Sequence, residues 1–315
     1  MIYNNVKYYE DDIVIPDINL AFTVQYPSGL SPYKYRDVVC HEINFAAISS
    51  SGGSYSLNDG GFWVNFNTTG NKIFYANGYY IVIQNSKVFS SADFSTWTDI
   101  TPINNGTTFD AMAYDGFGYL LVGHTGNTVN SWYYYAMNSY ASISDFTINS
   151  ISNAMINSLI YIPSQKLYRI LLYNSNLAYD CNPNKQTWSL GGEFPINQHT
   201  EFAYNEANGM YIAMGTSLEV AVRKSWTSNW ETKTLVIDTT DYAMSKVLAA
   251  QGHFFVLIYQ YDGKATVAYS KDGNDWKYAP IQGSGMTDKW YRMAVGINKV
   301  IIMSQQNNIA ISNLN

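Results

Sequence analysis

The chain has 315 residues, 47% of them apolar and only 13% charged, with a formal net charge of −6. That apolar content is enough for a core and excludes a disordered chain. The lack of any clustered Lys/Arg excludes a surface for nucleic-acid phosphates. Polarity comes instead from Asn, Ser and 28 Tyr, and arginine is confined to Arg36, Arg169, Arg223 and Arg292.

Residues 1–18 alternate polar and apolar side chains and end in IVIPDI, which predicts one short strand near Tyr8–Ile15 stopped by Pro16. The opening residues lack a charged region followed by an apolar one, so no signal peptide is expected. No apolar run approaches the roughly 18 residues of a membrane helix, so no membrane insertion is expected. The first unit, 20–67, is the least regular, with strands expected at LAFTVQY and VVCHEINFAAIS on either side of a Gly/Pro loop. The second, 70–102, is the clearest copy of a pattern that recurs about every 40 residues: apolar strand, Asn77-Gly78 turn, second strand, polar turn, third strand, and a closure ending in Trp. Further copies cover 107–150, 154–190, 200–236 and 244–281, and a shorter one covers 290–315.

Second strands such as YYIVI, FFVLIY and VIIM are apolar on both faces and so need cover on both. Stacked blades supply it, and no stretch has a convincing helical period. The expected fold is therefore all-β, a single β-propeller of seven four-stranded blades, or six if the first unit is not a full blade. The last unit is one strand short. The expectation is that the N-terminal strand near Tyr8–Ile15 pairs with the strand near Asn308–Ser312 and closes the ring, removing open edges.

The closures share a pattern. Ser91-x-Asp93 precedes Trp97, Ser270-x-Asp272-Gly273 precedes Trp276, and Ser56-x-Asn58-x-Gly60 precedes Trp63 with one residue more. The carboxylate or amide accepts backbone N–H groups in a tight turn, and the indole packs between neighbouring turns. These closures resemble the Asp-box repeats of the sialidase-like propellers, with degenerate versions at Asn149, Trp188 and Trp230. The resemblance implies a structural, peripheral role for Asn58, Trp63, Asp93, Trp97, Trp188, Trp230, Asp272 and Trp276. The Asn/Tyr/Ser-rich, charge-poor composition also resembles propellers of bacteriophage virions and tails, which implies a virion protein made in a host cytoplasm. A cytoplasmic location is the alternative.

Catalysis finds little support. Sialidase-like chemistry needs three arginines converging on a carboxylate, and the four here lie in different kinds of element. His41, His124, His199 and His253 are scattered, and Cys40 and Cys181 form no CxxC, so neither a metal nor any other cofactor is expected. His253 reads as a packed strand residue and His124 as an exposed turn residue. Binding fits better. The turns between second and third strands share one face with the links between blades, and the longest, 123–132 and 259–264, carry aromatic and amide groups. No catalytic residue is assigned. The candidate ligand-binding residues are His124, Asn127, Trp132, Tyr259, Tyr261, Asp262 and Trp290. The expected partners are a surface glycan or other virion proteins. A carbohydrate-active hydrolase, or a cellular lectin or scaffold, is the alternative.

Overall fold

The computed structural model describes residues 16–25, 27, 29–31, 34–102, 106–126, 128–134, 144–147, 156–172, 175–182, 187–194, 201–215, 217–237, 242–260, 262–281, 289–304 and 308–314. Its strands pair as seven four-stranded antiparallel sheets. The first short strand, β1 (Thr23–Gln25), belongs to the last sheet. The first sheet is β2 (Asp37–His41), β3 (Asn44–Ile48), β4 (Gly53–Ser56) and β5 (Val64–Phe66). The second is β6 (Lys72–Ala76), β7 (Tyr79–Gln84), β8 (Lys87–Ser91) and β9 (Thr98–Asp99). The third is β10 (Thr108–Tyr114), β11 (Tyr119–Thr125), β12 (Thr128–Tyr134) and β13 (Ser144–Thr147). The fourth is β14 (Ile156–Ile162), β15 (Leu167–Leu172), β16 (Leu177–Asn182) and β17 (Thr187–Glu193). The fifth is β18 (Glu201–Asn205), β19 (Met210–Met214), β20 (Glu219–Arg223) and β21 (Glu231–Thr234). The sixth is β22 (Tyr242–Ala250), β23 (His253–Gln260), β24 (Ala265–Ser270) and β25 (Lys277–Ile281). The seventh joins β26 (Trp290–Val295), β27 (Lys299–Ser304) and β28 (Ile309–Asn313) to β1.

The first strands of successive sheets touch in the order β2, β6, β10, β14, β18, β22, β26 and back to β2, which closes a ring. One apolar cluster fills each junction between neighbours; Val256 and Ile258 face the fifth sheet while Phe255 and Leu257 face the seventh. Second strands are thus buried on both sides, as their composition requires. Among the described residues no α-helix occurs; a single 3-10 turn spans Pro163–Gln165.

Two strand expectations need correction. The free edge of β28 is taken by Thr23–Gln25, in register Thr23↔Ile311 and Gln25↔Ile309, and not by Tyr8–Ile15, which lies outside the described residues. Here the apolar alternation seats the strand: Phe22 and Val24 pack on the cluster that buries Ile18 and Leu20, and the Ala21 N–H donates to Ser312 Oγ at 2.8 Å. The segment VVCHEINFAAIS is two strands, not one. Glu42 takes φ 55 and reverses the chain, a turn hidden by the apolar residues on both flanks.

Candidate binding site at the mouth of the ring

The first strands all run the same way, so their starts gather at one mouth of the ring, together with the turns between second and third strands. Charged residues occupy that register in sheet after sheet: Asp37, Lys72, Asp110, Glu201 and Lys246 in the first, second, third, fifth and sixth, and Arg292 in the seventh. Sheet pairing explains part of the pattern. The Asp37 carboxylate accepts the Ile73 N–H at 3.1 Å, and Glu201 accepts the Val247 N–H at 2.8 Å, so an acid on one sheet satisfies the exposed edge of the next. Register shifts fall beside Asp110, Ser245 and Tyr291, where a bulge releases one residue from pairing and re-aims it.

The charges are answered unevenly. Lys246 Nζ donates to Glu201 Oε1 at 2.5 Å, and Asp110 Oδ2 lies 2.7 Å from His124 Nδ1. Arg36 donates to Asn71, whose Nδ2 reaches Asn85 at 2.6 Å, and Arg292 donates to the Arg36 carbonyl. The Lys72 ammonium makes no hydrogen bond or ion pair with any described residue. Burial lowers its ammonium pKa, opposed by the charges of Asp37, Glu201 and Asp110 at longer range. Burial raises the Asp110 carboxyl, against the pull of His124 and Lys72. For Lys246 burial works downward, but Glu201 and Asp37 outweigh it and the pKa rises. The mouth is therefore lined by acids and bases from six of the seven sheets, and the Lys72 ammonium has no acceptor among the described residues.

The residues singled out from sequence scatter around this ring. His124 belongs to it, but from strand β11, half-buried and hydrogen-bonded to Asp110, not from an exposed turn. The expected 123–132 loop does not exist: β11 runs to Thr125 and β12 starts at Thr128, so Trp132 lies on a strand, its backbone opposite Leu121. Tyr259 ends in the sixth sheet, edge-on to Tyr291 with ring centroids 4.8 Å apart. Asp262 holds its own turn through the Lys264 N–H and ammonium. Trp290 is wholly buried and donates to the Gly263 carbonyl at 3.0 Å; the bulge at Tyr291 turns it inward, so it is core and not ligand surface. Asn127 and Tyr261 lie outside the described residues. His253 is buried, its ring nitrogen 2.9 Å from the Gln251 carbonyl. Cys40 and Cys181 are both buried free thiols.

The closures lie at the other end of the ring. Ser56, Ser91 and Ser270 donate to Asn58, Asp93 and Asp272 at 2.9, 3.2 and 3.0 Å. Each of those accepts downstream N–H groups, and Trp63, Trp97 and Trp276 each donate back to the turn carbonyl three residues earlier. Trp188 and Trp230 do not close a turn this way. Trp188 lies on β17 opposite Cys181, and Trp230 donates to the Glu193 carbonyl of the preceding sheet. Asn149 lies outside the described residues.

No local motif marks the charged ring in the sequence. Its signal was positional: a charged residue at or near the start of the first strand of one repeat after another.

No protein-family model and no curated protein matches the sequence. Solved structures do. The structure of YCF48 bound to D1 peptide superposes with a TM-score of 0.71 at 11% identity, covering 95% of this chain and 98% of that one. Virginiamycin B lyase from Staphylococcus aureus gives 0.73 at 9% identity, covering 94% and 100%. The Swd1 β-propeller domain from Myceliophteria thermophila gives 0.69 at 7%, covering 93% and 100%. Likeness at these identities speaks to fold alone, and the chain is a β-propeller.

Proposed function

We propose that the chain is a non-catalytic binding module that holds a segment of a protein partner at the mouth of the ring, within a bacteriophage virion or tail. The unpaired Lys72 ammonium carries this reading. It sits within range of the charges of Asp37, Glu201 and Asp110 without bonding any of them, and its donors suit a carboxylate or carbonyl brought by a ligand. The similar YCF48 structure contains a peptide, which favours a peptide over a small substrate. The virion setting rests on the amide- and Tyr-rich, charge-poor composition. The three Ser-x-Asp/Asn closures support the likeness to Asp-box propellers through their shared hydrogen bonding. Against sialidase-like hydrolysis, Arg36 and Arg292 lie at the mouth while Arg169 and Arg223 lie elsewhere in the fourth and fifth sheets, so no trio gathers.

The test sets an array of synthetic peptides bearing acidic side chains and free C-termini beside a glycan array with a reducing-sugar assay. Lys72→Met should weaken peptide binding by about tenfold or more, the scale of a charge-assisted hydrogen bond. Peptide binding that survives the substitution overturns the site. Glycan binding without turnover favours a lectin, and release of reducing sugar favours the hydrolase.

A further inference from the structure

At the closure end of the molecule, between the fourth and fifth sheets, two buried guanidinium groups share one carboxylate. Arg169, on β15, is wholly buried, and its Nε and Nη2 donate to the two oxygens of Asp180, both at 2.6 Å. Its Nη1 has no partner. Arg223, the last residue of β20, is 7% exposed, and its Nε and Nη2 are buried with no partner. Both guanidinium carbons stand over the Trp226 ring, at 3.1 and 3.3 Å from its centroid, and that of Arg223 is 4.4 Å from the Trp230 ring. The indole of Trp226 is itself anchored by donating to the Gly191 carbonyl at 2.6 Å.

Trp226 occupies the place in the repeat that the acid occupies elsewhere: four residues before Trp230, as Asp93 and Asp272 are before Trp97 and Trp276. The fifth closure has thus exchanged an acid for an aromatic ring that two cations flank. Among the described residues Asp180 is the one carboxylate that reaches either guanidinium, so the cluster keeps an excess positive charge. Burial, and then the neighbouring Arg169, lower Arg223 to about 10, which leaves it cationic at neutral pH. Stacking on an indole suits a guanidinium face, but it satisfies none of the N–H groups at its edge.

The two arginines differ in one respect that names the missing chemistry. On Arg169 the Nε–Nη2 fork is filled by a planar carboxylate; on Arg223 the same fork is empty. Buried polar groups of native proteins are almost always matched by protein, water or a bound ion. A fork of two parallel N–H groups matches a carboxylate. We propose that Arg223, backed by Trp226 and Trp230, is a second binding site of this propeller, specific for a carboxylate that seats on its Nε–Nη2 fork as Asp180 seats on Arg169. The turn that follows Arg223 in the chain is at the surface, with Lys224, Ser225 and Thr227 exposed. This site is remote from the mouth of the ring, so it stands or falls independently of the function proposed above.

The experiment follows melting temperature and Trp fluorescence of the full chain in sodium acetate against sodium chloride at matched ionic strength. A second arm uses the peptide Gly-Glu-Gly against Gly-Gln-Gly, to separate a small acid from a protein side chain. Wild type should melt several degrees higher in acetate than in chloride and change its fluorescence saturably. Arg223→Met should show neither response. Arg223→Lys keeps the charge but loses the fork, and should need at least tenfold more acetate; it also covers the case in which the Met variant does not fold. A response to Gly-Glu-Gly at lower concentration than acetate assigns the site to a protein side chain. Identical wild-type curves in acetate and chloride, or an acetate response that persists undiminished in both variants, overturn the proposal.

Discussion

The closures of the first, second and sixth sheets and that of the fifth do the same job with opposite chemistry. In the first three, Asn58, Asp93 or Asp272 gathers N–H groups, a residue with positive φ follows, and the indole bonds its own turn. That residue wedges against the neighbouring sheet. Gly60 leaves no room for a Cβ, which would fall 2.5 Å from Ile301, and Gly273 likewise abuts Val222 at 2.5 Å. Phe94, at φ 64, instead fills the gap itself, stacked on Tyr55 with ring centroids 4.1 Å apart. In the fifth sheet no residue from 224 to 230 has positive φ, and two indoles reach the preceding sheet, bonding Gly191 and Glu193. The comparison shows that the propeller demands a wedge at this place and leaves its chemistry open. A polar turn satisfies itself, whereas a cation–aromatic wedge depends on its counter-charge.

The largest expected effect tests that dependence. Asp180→Asn leaves two buried guanidiniums without a counter-charge and should cost ~4–5 kcal/mol in denaturant unfolding. A loss below about 1 kcal/mol would mean that water already screens the cluster and that the two wedges differ less than their geometry says.

Next comes the aromatic part of the polar wedge. Trp63 is wholly buried and donates to Gly60 at 2.9 Å, so Trp63→Ala should cost ~3–4 kcal/mol. Trp276 is only half-buried, and Trp276→Ala should cost about half as much. Equal losses would show that the hydrogen bond, common to both, dominates over burial. Arg223→Met should be neutral or stabilising by ~1 kcal/mol in the absence of a carboxylate, because it removes the excess buried charge and keeps the stem.

Some of this was readable from the chain and some was not, and the division follows contact range. The polar closures lie within seven or eight residues of sequence, so Ser270, Asp272 and Trp276 announce their turn directly. Second strands such as Phe254–Ile258 announce two covered faces by their composition. The closing strand announces itself as a strand within LAFTVQY but not as the closing one: its partner lies nearly 290 positions away. Trp290 escapes a local reading for a related reason. Its place beside a link between sheets suggests surface, but a one-residue bulge at Tyr291 sends it into the core. Arg169 and Arg223 each look like an odd strand residue until β15 and β20 bring both over Trp226. Such pairings depend on how sheets stack, which no local pattern records.

The smallest expected effect asks whether charge matters at all in the polar wedge. The Ser95 hydroxyl, then the Thr96 and Ser95 amides, hold the Asp93 carboxyl down at about 2. For Asp272 burial pushes upward, but the Asp275 and Asn274 amides and the Ser270 hydroxyl together outweigh it, and its pKa is lowered too. A carboxyl that is more acidic in the native state than in the unfolded chain contributes stability above its unfolded pKa. That contribution fades as pH falls from about 4 towards 2, because the unfolded state then takes up more protons. Asn58 shows that an amide oxygen can gather the same N–H groups, since it accepts from the Ser56 hydroxyl and the Phe62 amide without titrating. The double variant Asp93→Asn, Asp272→Asn should therefore keep the fold, be slightly less stable than wild type at pH 7, and lose less between pH 4 and 2. The two unfolding free energies should converge at the acid end. Parallel acid limbs would show that the turns need only an acceptor oxygen, and that the ionised carboxylates of the second and sixth sheets contribute nothing beyond what the amide supplies in the first.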